Sequence, residues 1–197
     1  MFELCVLFGC DYVKPIPKLN NNKIYNLVKQ DMSLKEIIDF ILLKEIINKL
    51  HDWKFWFCGG EDPTIDIWKE IKNLSQVKYF GVLQSKQIGE LMSKSTVGII
   101  PYIQDEIIYS SLPLKSFEYI SCGLPVVTIP IKSLEDKNEN NNLFQFATNA
   151  EDFAKEIEKS YNIRYDKNLL QLREKISLVN SYNNRFKKLK NKLLYNF

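Results

Sequence analysis

Histidine, cysteine, glycine and proline are all scarce in this sequence. One histidine, His51, and four cysteines, Cys5, Cys10, Cys58 and Cys122, stand among 197 residues. No CxxC pair occurs, so a zinc site lacks ligands and a disulfide framework lacks partners. His51 falls between a helical pattern and a strand and reads as an ordinary boundary residue. Seven glycines and seven prolines exclude collagen-like and proline-rich scaffolds, and 13% aromatic content argues against disorder. Long apolar runs are missing too. The richest, residues 37–47, is interrupted by Asp39, Lys44 and Glu45 and cannot span a bilayer. Met1-Phe2-Glu3-Leu4 has no basic lead and does not read as a signal peptide. The reading left by these absences is one reduced, soluble, cytoplasmic domain.

The net charge of +3 is unevenly spread. Residues 181–197 hold Arg185, Lys187, Lys188, Lys190 and Lys192 and no acid, so the rest of the chain is acidic by two. That is poor material for a nucleic-acid-binding face, and no nucleic-acid partner is expected. In the same tail Phe186, Leu189, Leu193 and Phe197 fall near one stripe of a helical projection, with the cations largely around the rest. The sequence therefore divides into a domain over residues 1–180 and a basic amphipathic helix over 181–197. Such a helix suits an anionic membrane surface or a second protein domain.

What the chain does have is an alternation. Short apolar runs at 3–9, 53–58, 77–80, 96–101, 126–129 and 144–146 read as strands, several ending at glycine or proline. Between them, helical spacing covers 64–74, 85–93, 113–122 and 150–160, the last capped by Asn149. It covers 33–50 as well, where Ser33 is a candidate N-cap with Glu36 at the capping-box position. Two more helical patterns occupy 168–179 and 182–194. Residues 132–142 are polar and read as a solvated loop. Gly123 suits a left-handed C-cap after Cys122. This rhythm predicts an α/β fold, a Rossmann-like parallel sheet with helices on both faces.

Several chemistries have no fingerprint here. GxGxxG, GxxxxGK[ST] and GxSxG are absent, as is any pair of aspartates separated by one residue. The informative stretch is residues 110–127, Ser-Ser-Leu-Pro-Leu-Lys-Ser-Phe-Glu-Tyr-Ile-Ser-Cys-Gly-Leu-Pro-Val-Val. It reads as a loop, a short helix, a glycine turn and a strand. The N–H groups of Leu112, Leu114 and Lys115 at that helix start suit an anion, and the Lys115 ammonium adds a full charge. Glu118, one turn on, suits a vicinal diol. Diphosphate at the helix start with ribose beside Glu118 is one reading. A surface Lys115–Glu118 pair at i,i+3 is the other.

The pattern P-L-K-x-F-E-Y-x-x-x-G-x-P-V-V resembles the donor-binding motif in the C-terminal domain of GT-B glycosyltransferases of group 1. Residues 53–60 (Trp-Lys-Phe-Trp-Phe-Cys-Gly-Gly), 77–82, 91–101, 150–154 and 183–186 follow the order of that family, so the likeness covers nearly the whole chain. It implies a single GT-B half-domain followed by C-terminal helices. This half would bind a nucleoside-diphosphate sugar and assist departure of the diphosphate without a metal or a cofactor. By that likeness Glu118 holds the ribose hydroxyls and Lys115 the diphosphate, with Ser111 and Leu112 at the helix entry. Gly9 and Gly59 end strands at the crevice, or serve only as turn residues. Val82 and Leu83 lie near the base, or in the core.

Two departures from the family matter. Retaining members often carry a second glutamate eight residues before the ribose-binding one, and Ser110 stands there. Asp105 and Glu106 are read as parts of a solvated loop, with an approach of either to the sugar as the alternative. The chain reads as one α/β unit where the family has two, which implies a separate N-terminal acceptor domain or subunit. The expected function is glycosyl transfer in polysaccharide biosynthesis, onto a surface glycan or a lipid-linked precursor at the inner face of the membrane. The alternatives are a non-catalytic nucleotide-sugar-binding subunit, a nucleotide-sugar epimerase-like domain, and an interaction module without a ligand.

Overall fold

The computed structural model describes residues 2–7, 37–138, 143–181 and 184. Six strands form one sheet: β1 (Phe2–Leu7), β2 (Trp53–Cys58), β3 (Val77–Tyr79), β4 (Val97–Ile100), β5 (Val126–Thr128) and β6 (Phe144–Phe146). All neighbours are parallel, in the order β3-β2-β1-β4-β5-β6. Parallel strands covered on both faces require continuous apolar runs. β4 and β5 meet that requirement with every residue buried.

Eight helices connect or follow the strands among the described residues: α1 (Phe40–Lys49), α2 (Asp66–Lys72), α3 (Ser85–Lys94), α4 (Glu106–Tyr109), α5 (Leu114–Ser121), α6 (Lys132–Glu135), α7 (Ala150–Asn162) and α8 (Lys167–Asn180). With this strand order, the right-handed rule for parallel crossovers places α1 and α2 on one face of the sheet and α3 and α5 on the other. In keeping with that, α1 packs against α2 and α7, and α8 against α5. Trp68 of α2 organises the first face. Its ring meets Phe57 at 5.2 Å and Tyr79 at 5.6 Å edge-on, and its indole N–H donates to Glu61 Oε2 at 2.8 Å. On the other face, α5 approaches β4 closely because residue 98 is glycine. A Cβ there would lie 2.5 Å from Tyr119 Cγ.

The expected parallel α/β sheet is present, and three local expectations change. Helix α1 starts at Phe40, capped by Asp39, whose Oδ1 accepts from Leu42 N–H at 2.9 Å. Ile38 fits the helical spacing, yet it forms an antiparallel bridge with Tyr102, and Asp39 N–H donates to Pro101 O at 2.9 Å. Those partners are distant in sequence and override the local pattern. The proposed Ser33 cap lies outside the described residues. Glu106 opens α4 and Asp105 caps it, Asp105 Oδ1 accepting from Ile108 N–H at 2.7 Å. Residues 132–135 likewise form a helical turn within the polar 132–142 segment. The 182–194 pattern falls outside the described residues, apart from Asn184.

Candidate donor site at the sheet edge

The strand order reverses between β1 and β4, and open sheets of this kind leave a ligand crevice at the C-terminal ends of the strands there. The chain beyond β4 is built to start a helix at that edge. Ser111 follows the C-cap of α4, its N–H and Oγ both donating to Ile108 O at 3.0 and 2.7 Å. Ser111 O accepts from Ser133 Oγ at 2.7 Å, which ties the turn to the start of α6. Pro113 is the N-cap of α5 and offers no side-chain cap. Among the described residues the Leu112 and Leu114 N–H groups have no protein acceptor. No described residue caps these two N–H groups at the positive end of α5, an arrangement that suits an anion.

Lys115 is half-buried in the first turn of α5, and Glu118 is exposed one turn later. Phe117, Tyr119 and Ile120 fill the buried side of the same helix and fix its rotation. The end of β2 lies nearby. Burial pushes the Cys58 thiol up to about 11, Lys115 draws it back down and Glu118 raises it. The thiol, the ammonium group and the carboxylate thus share one electrostatic neighbourhood. Gly59 follows Cys58 at φ 127°, a conformation that favours glycine. Its N–H donates to Gly81 O at 2.9 Å, and its carbonyl accepts from Tyr79 Oη–H at 2.7 Å. This joins the ends of β2 and β3 and brings Val82, 73% exposed, to the same edge.

Most of the residues expected from the sequence therefore meet at one edge. Lys115 and Glu118 share α5, Ser111 and Leu112 form its entry, and Gly59 and Val82 come from the β2 and β3 side. The Ser111 hydroxyl hydrogen is already directed to Ile108 O, which leaves its oxygen lone pairs for a ligand. Gly9 lies outside the described residues. Leu83 lines a cavity of about 320 Å³ with Trp56, Phe80 and Leu91 on the α3 face. His51 is exposed at the opposite end of β2, beside a cavity of about 300 Å³ formed with Trp53, Glu158 and Tyr161. Among the described residues no group of three or more His, Cys, Asp and Glu side chains is arranged to hold a metal ion. No helix among them is long and apolar enough to cross a membrane. Sequence reasoning passed over Cys58 as a neighbour of Lys115 and Glu118. Its place as the last residue before Gly59, on a strand that ends at the crevice, was the available signal.

Chemically, the edge offers a helix N-terminus and an ammonium group to an anion, and a carboxylate one turn away to hydroxyl groups. Comparison with known proteins points the same way. The family model "Glycosyl transferases group 1" matches residues 29–162. TuaH of Bacillus subtilis (strain 168), whose name assigns it provisionally to teichuronic acid biosynthesis as a glycosyltransferase, is 26% identical over 159 residues. That match covers 79% of this chain and 40% of TuaH. Among solved structures, a glycosyltransferase from Rickettsia africae ESF-5 superposes with a TM-score of 0.63 at 16% identity, over 98% of this chain and 47% of that one. Anabaena Alr3699/HepE, solved with UDP and glucose, gives 0.56 at 14% identity, over 89% of this chain and 43% of that one. The fold is that of GT-B glycosyltransferases, and the chain spans less than half the length of each of these relatives.

Proposed function

This chain belongs to the group 1 glycosyl transferases, and from that premise we propose that it is the donor-binding half of a glycosyltransferase that uses a nucleoside-diphosphate sugar. Glycosyl transfer is the role its family supports; the donor, the acceptor and the residues that hold them are our reading. One observation carries it: α5 begins at the sheet's switch point with Leu112 and Leu114 N–H groups that no described residue caps, and Lys115 stands in its first turn. In this reading the diphosphate lies at that helix end, and Glu118 accepts hydrogen bonds from the two ribose hydroxyls. Ser111 and Leu112 border the diphosphate. Gly59 allows close backbone approach, and Val82 lies beside the base.

Transfer breaks the bond between the anomeric carbon and the diphosphate oxygen, and the electron pair leaves with the diphosphate. An acceptor hydroxyl oxygen forms the new bond to that carbon, and its proton passes to a base. Lys115 and the α5 amides face the charge that develops on the leaving group, where pre-set donors count most. The acceptor and the base are assigned to a second α/β unit, as a further segment or a partner. The exposed apolar side chains of Ile107, Leu112 and Leu114, at 67%, 36% and 39%, rim the same edge and give such a unit a surface to cover. The name of TuaH, which speaks of teichuronic acid biosynthesis, supports a polysaccharide as the product; a surface glycan or lipid-linked precursor made at the inner face of the membrane is part of this reading. Calorimetric titration with a panel of nucleoside diphosphates tests the reading. Binding that weakens in Lys115→Ala and in Glu118→Ala supports it, and equal affinity in all three proteins removes it.

A further inference from the structure

Two arginines lie buried at positions where nothing in the sequence marks a buried cation. Arg164 follows α7 and is 5% exposed; Arg173 sits in the second turn of α8 and is 0% exposed. Among the described residues neither forms an ion pair with a carboxylate. Asp166, whose charge reaches Arg173, accepts the Leu169 N–H at the start of α8. The guanidinium groups turn to backbone carbonyls instead. Arg164 donates through Nη1 to Gly123 O and through Nη2 to Ser95 O at 3.5 Å. Arg173 donates through Nη1 to Gly123 O at 3.2 Å and Arg164 O at 3.1 Å, and through Nη2 to Ile163 O at 3.4 Å.

These acceptors share a property. Ser95 is the C-cap of α3, Gly123 directly follows the C-cap of α5, and Ile163 is the C-cap of α7. Three helix ends of partial negative charge converge on two cations, which accounts for the burial of both without an acid. Helix α5 is the element held twice, since Gly123 O accepts from both arginines. Gly123 has φ 71°, and a Cβ on it would lie 3.3 Å from Arg164 Nη1 and 3.2 Å from Leu170 Cδ2. A side chain at position 123 would crowd the guanidinium that reaches its carbonyl.

We propose that Arg164 and Arg173 are positioning residues that pin the C-terminal end of α5 to the α7–α8 pair and so fix how its other end presents Lys115 and Glu118. The part about Lys115 and Glu118 rests on the donor-site reading above; the hold on α5 does not. Eight residues of helix are only about 12 Å long, so a tilt allowed at one end reaches the other. Lysine at either position keeps the charge but has one nitrogen and no planar fork, and cannot reproduce the shared contacts.

The test uses the 197-residue protein, its Arg173→Lys and Arg164→Lys variants and Glu118→Ala. Two quantities are read at a temperature where every variant is folded by circular dichroism: amide hydrogen exchange across residues 114–121, and affinity for UDP by calorimetry. The proposal expects faster exchange in α5 with α1 unchanged, and a loss of UDP affinity of about threefold to thirtyfold in the lysine variants. It also expects the double variant Arg173→Lys with Glu118→Ala to lose less than the product of the two single fold-losses, because a displaced Glu118 has less to lose. Should Arg173→Lys not fold, Arg164→Lys carries the same test. Wild-type UDP affinity in a folded arginine variant, with α5 exchange no faster than elsewhere, overturns the proposal. Faster α5 exchange in the arginine variants, alongside equal UDP affinity in wild type and Glu118→Ala, supports the hold on α5 and refutes the donor reading instead.

Discussion

Replacing Gly98 with alanine adds one methyl group at the place where β4 and α5 come closest. The new Cβ would lie 2.5, 2.7 and 2.8 Å from Cγ, Cδ2 and Cδ1 of Tyr119. Carbon atoms in contact settle at about 3.5–4.0 Å, so ring and strand have to separate by roughly 1 Å. These are the ring atoms nearest the Tyr119 backbone, which no rotation of a flexible chain end can move aside. Tyr119 is also fully buried. Overpacking of this kind costs about 1–3 kcal/mol. For a chain of this size each kcal/mol moves Tm by about 2–4 °C, so a fall of roughly 2–12 °C is expected in thermal unfolding. Tyr119→Leu clears part of the space, and in the Gly98→Ala background it is expected to recover some of the lost stability, with a coupling of roughly 0.5–3 kcal/mol. Because the displaced element is α5, nucleoside diphosphate affinity falls with stability in Gly98→Ala. A Tm equal to that of wild type, or strict additivity of the two substitutions, would refute this account of how α5 is seated.

Other outcomes follow from the same structure. The Cys58 thiol has its folded value raised to about 11 from an ordinary 9.0, so it is expected to resist thiol reagents at pH 8 until the protein unfolds. That raised value contributes stability fully present below pH 9 and lost as pH rises toward 11, with Cys122 acting in the same direction; a Tm that holds steady from pH 8 to pH 11 would contradict it. Asn149 caps α7, accepting from Asp152 N–H at 2.9 Å, and Asn149→Ala is expected to cost about 1 kcal/mol in urea unfolding with the m-value unchanged. Residues 181–197 carry five cations and no acid. The protein is expected to co-sediment with anionic vesicles at low salt and to release at high salt, and absence of binding at low salt removes the membrane role of the tail. With a simple soluble acceptor, the 197-residue protein is expected to bind donor and transfer little, because positioning of the acceptor is assigned to another unit. Vigorous turnover would place the acceptor site in this chain.

The parts of the fold that could be read from sequence are those whose cause is local. β2 is an apolar run closed by Gly59-Gly60, α7 starts at its Asn149 cap, and the Gly123 turn follows from a glycine at φ 71°. The Pro-Leu-Lys-Ser-Phe-Glu stretch placed Lys115 and Glu118 on one short helix at a strand's exit, and the structure has them there. The parts that could not be read depend on distant partners. Ile38 leaves the helical pattern because Tyr102 pairs with it, 64 positions on. Helix α4 has four residues, too few for a periodicity. Arg164 and Arg173 look like any exposed arginines, since the carbonyls of Gly123 and Ser95, which draw them to α5 and α3, are 41 to 69 positions away. The closeness of Cys58 to Lys115 and Glu118 is a product of strand order, which no single segment encodes.

The central claim is that α5 receives the diphosphate and ribose of a donor nucleotide, and UDP titration against Glu118→Ala and Lys115→Ala tests it most directly. Each charged hydrogen bond from a ribose hydroxyl to Glu118 is worth about 1.5–3 kcal/mol before water offsets part of it. Glu118→Ala should therefore weaken UDP by at least about tenfold and barely affect a 2′,3′-dideoxy analogue. Lys115→Ala should weaken UDP far more than uridine, by a margin that shrinks as salt rises. If UDP, or whichever nucleoside diphosphate binds best, holds the two folded variants as tightly as wild type, Lys115 and Glu118 are a surface pair and the donor-site account is wrong.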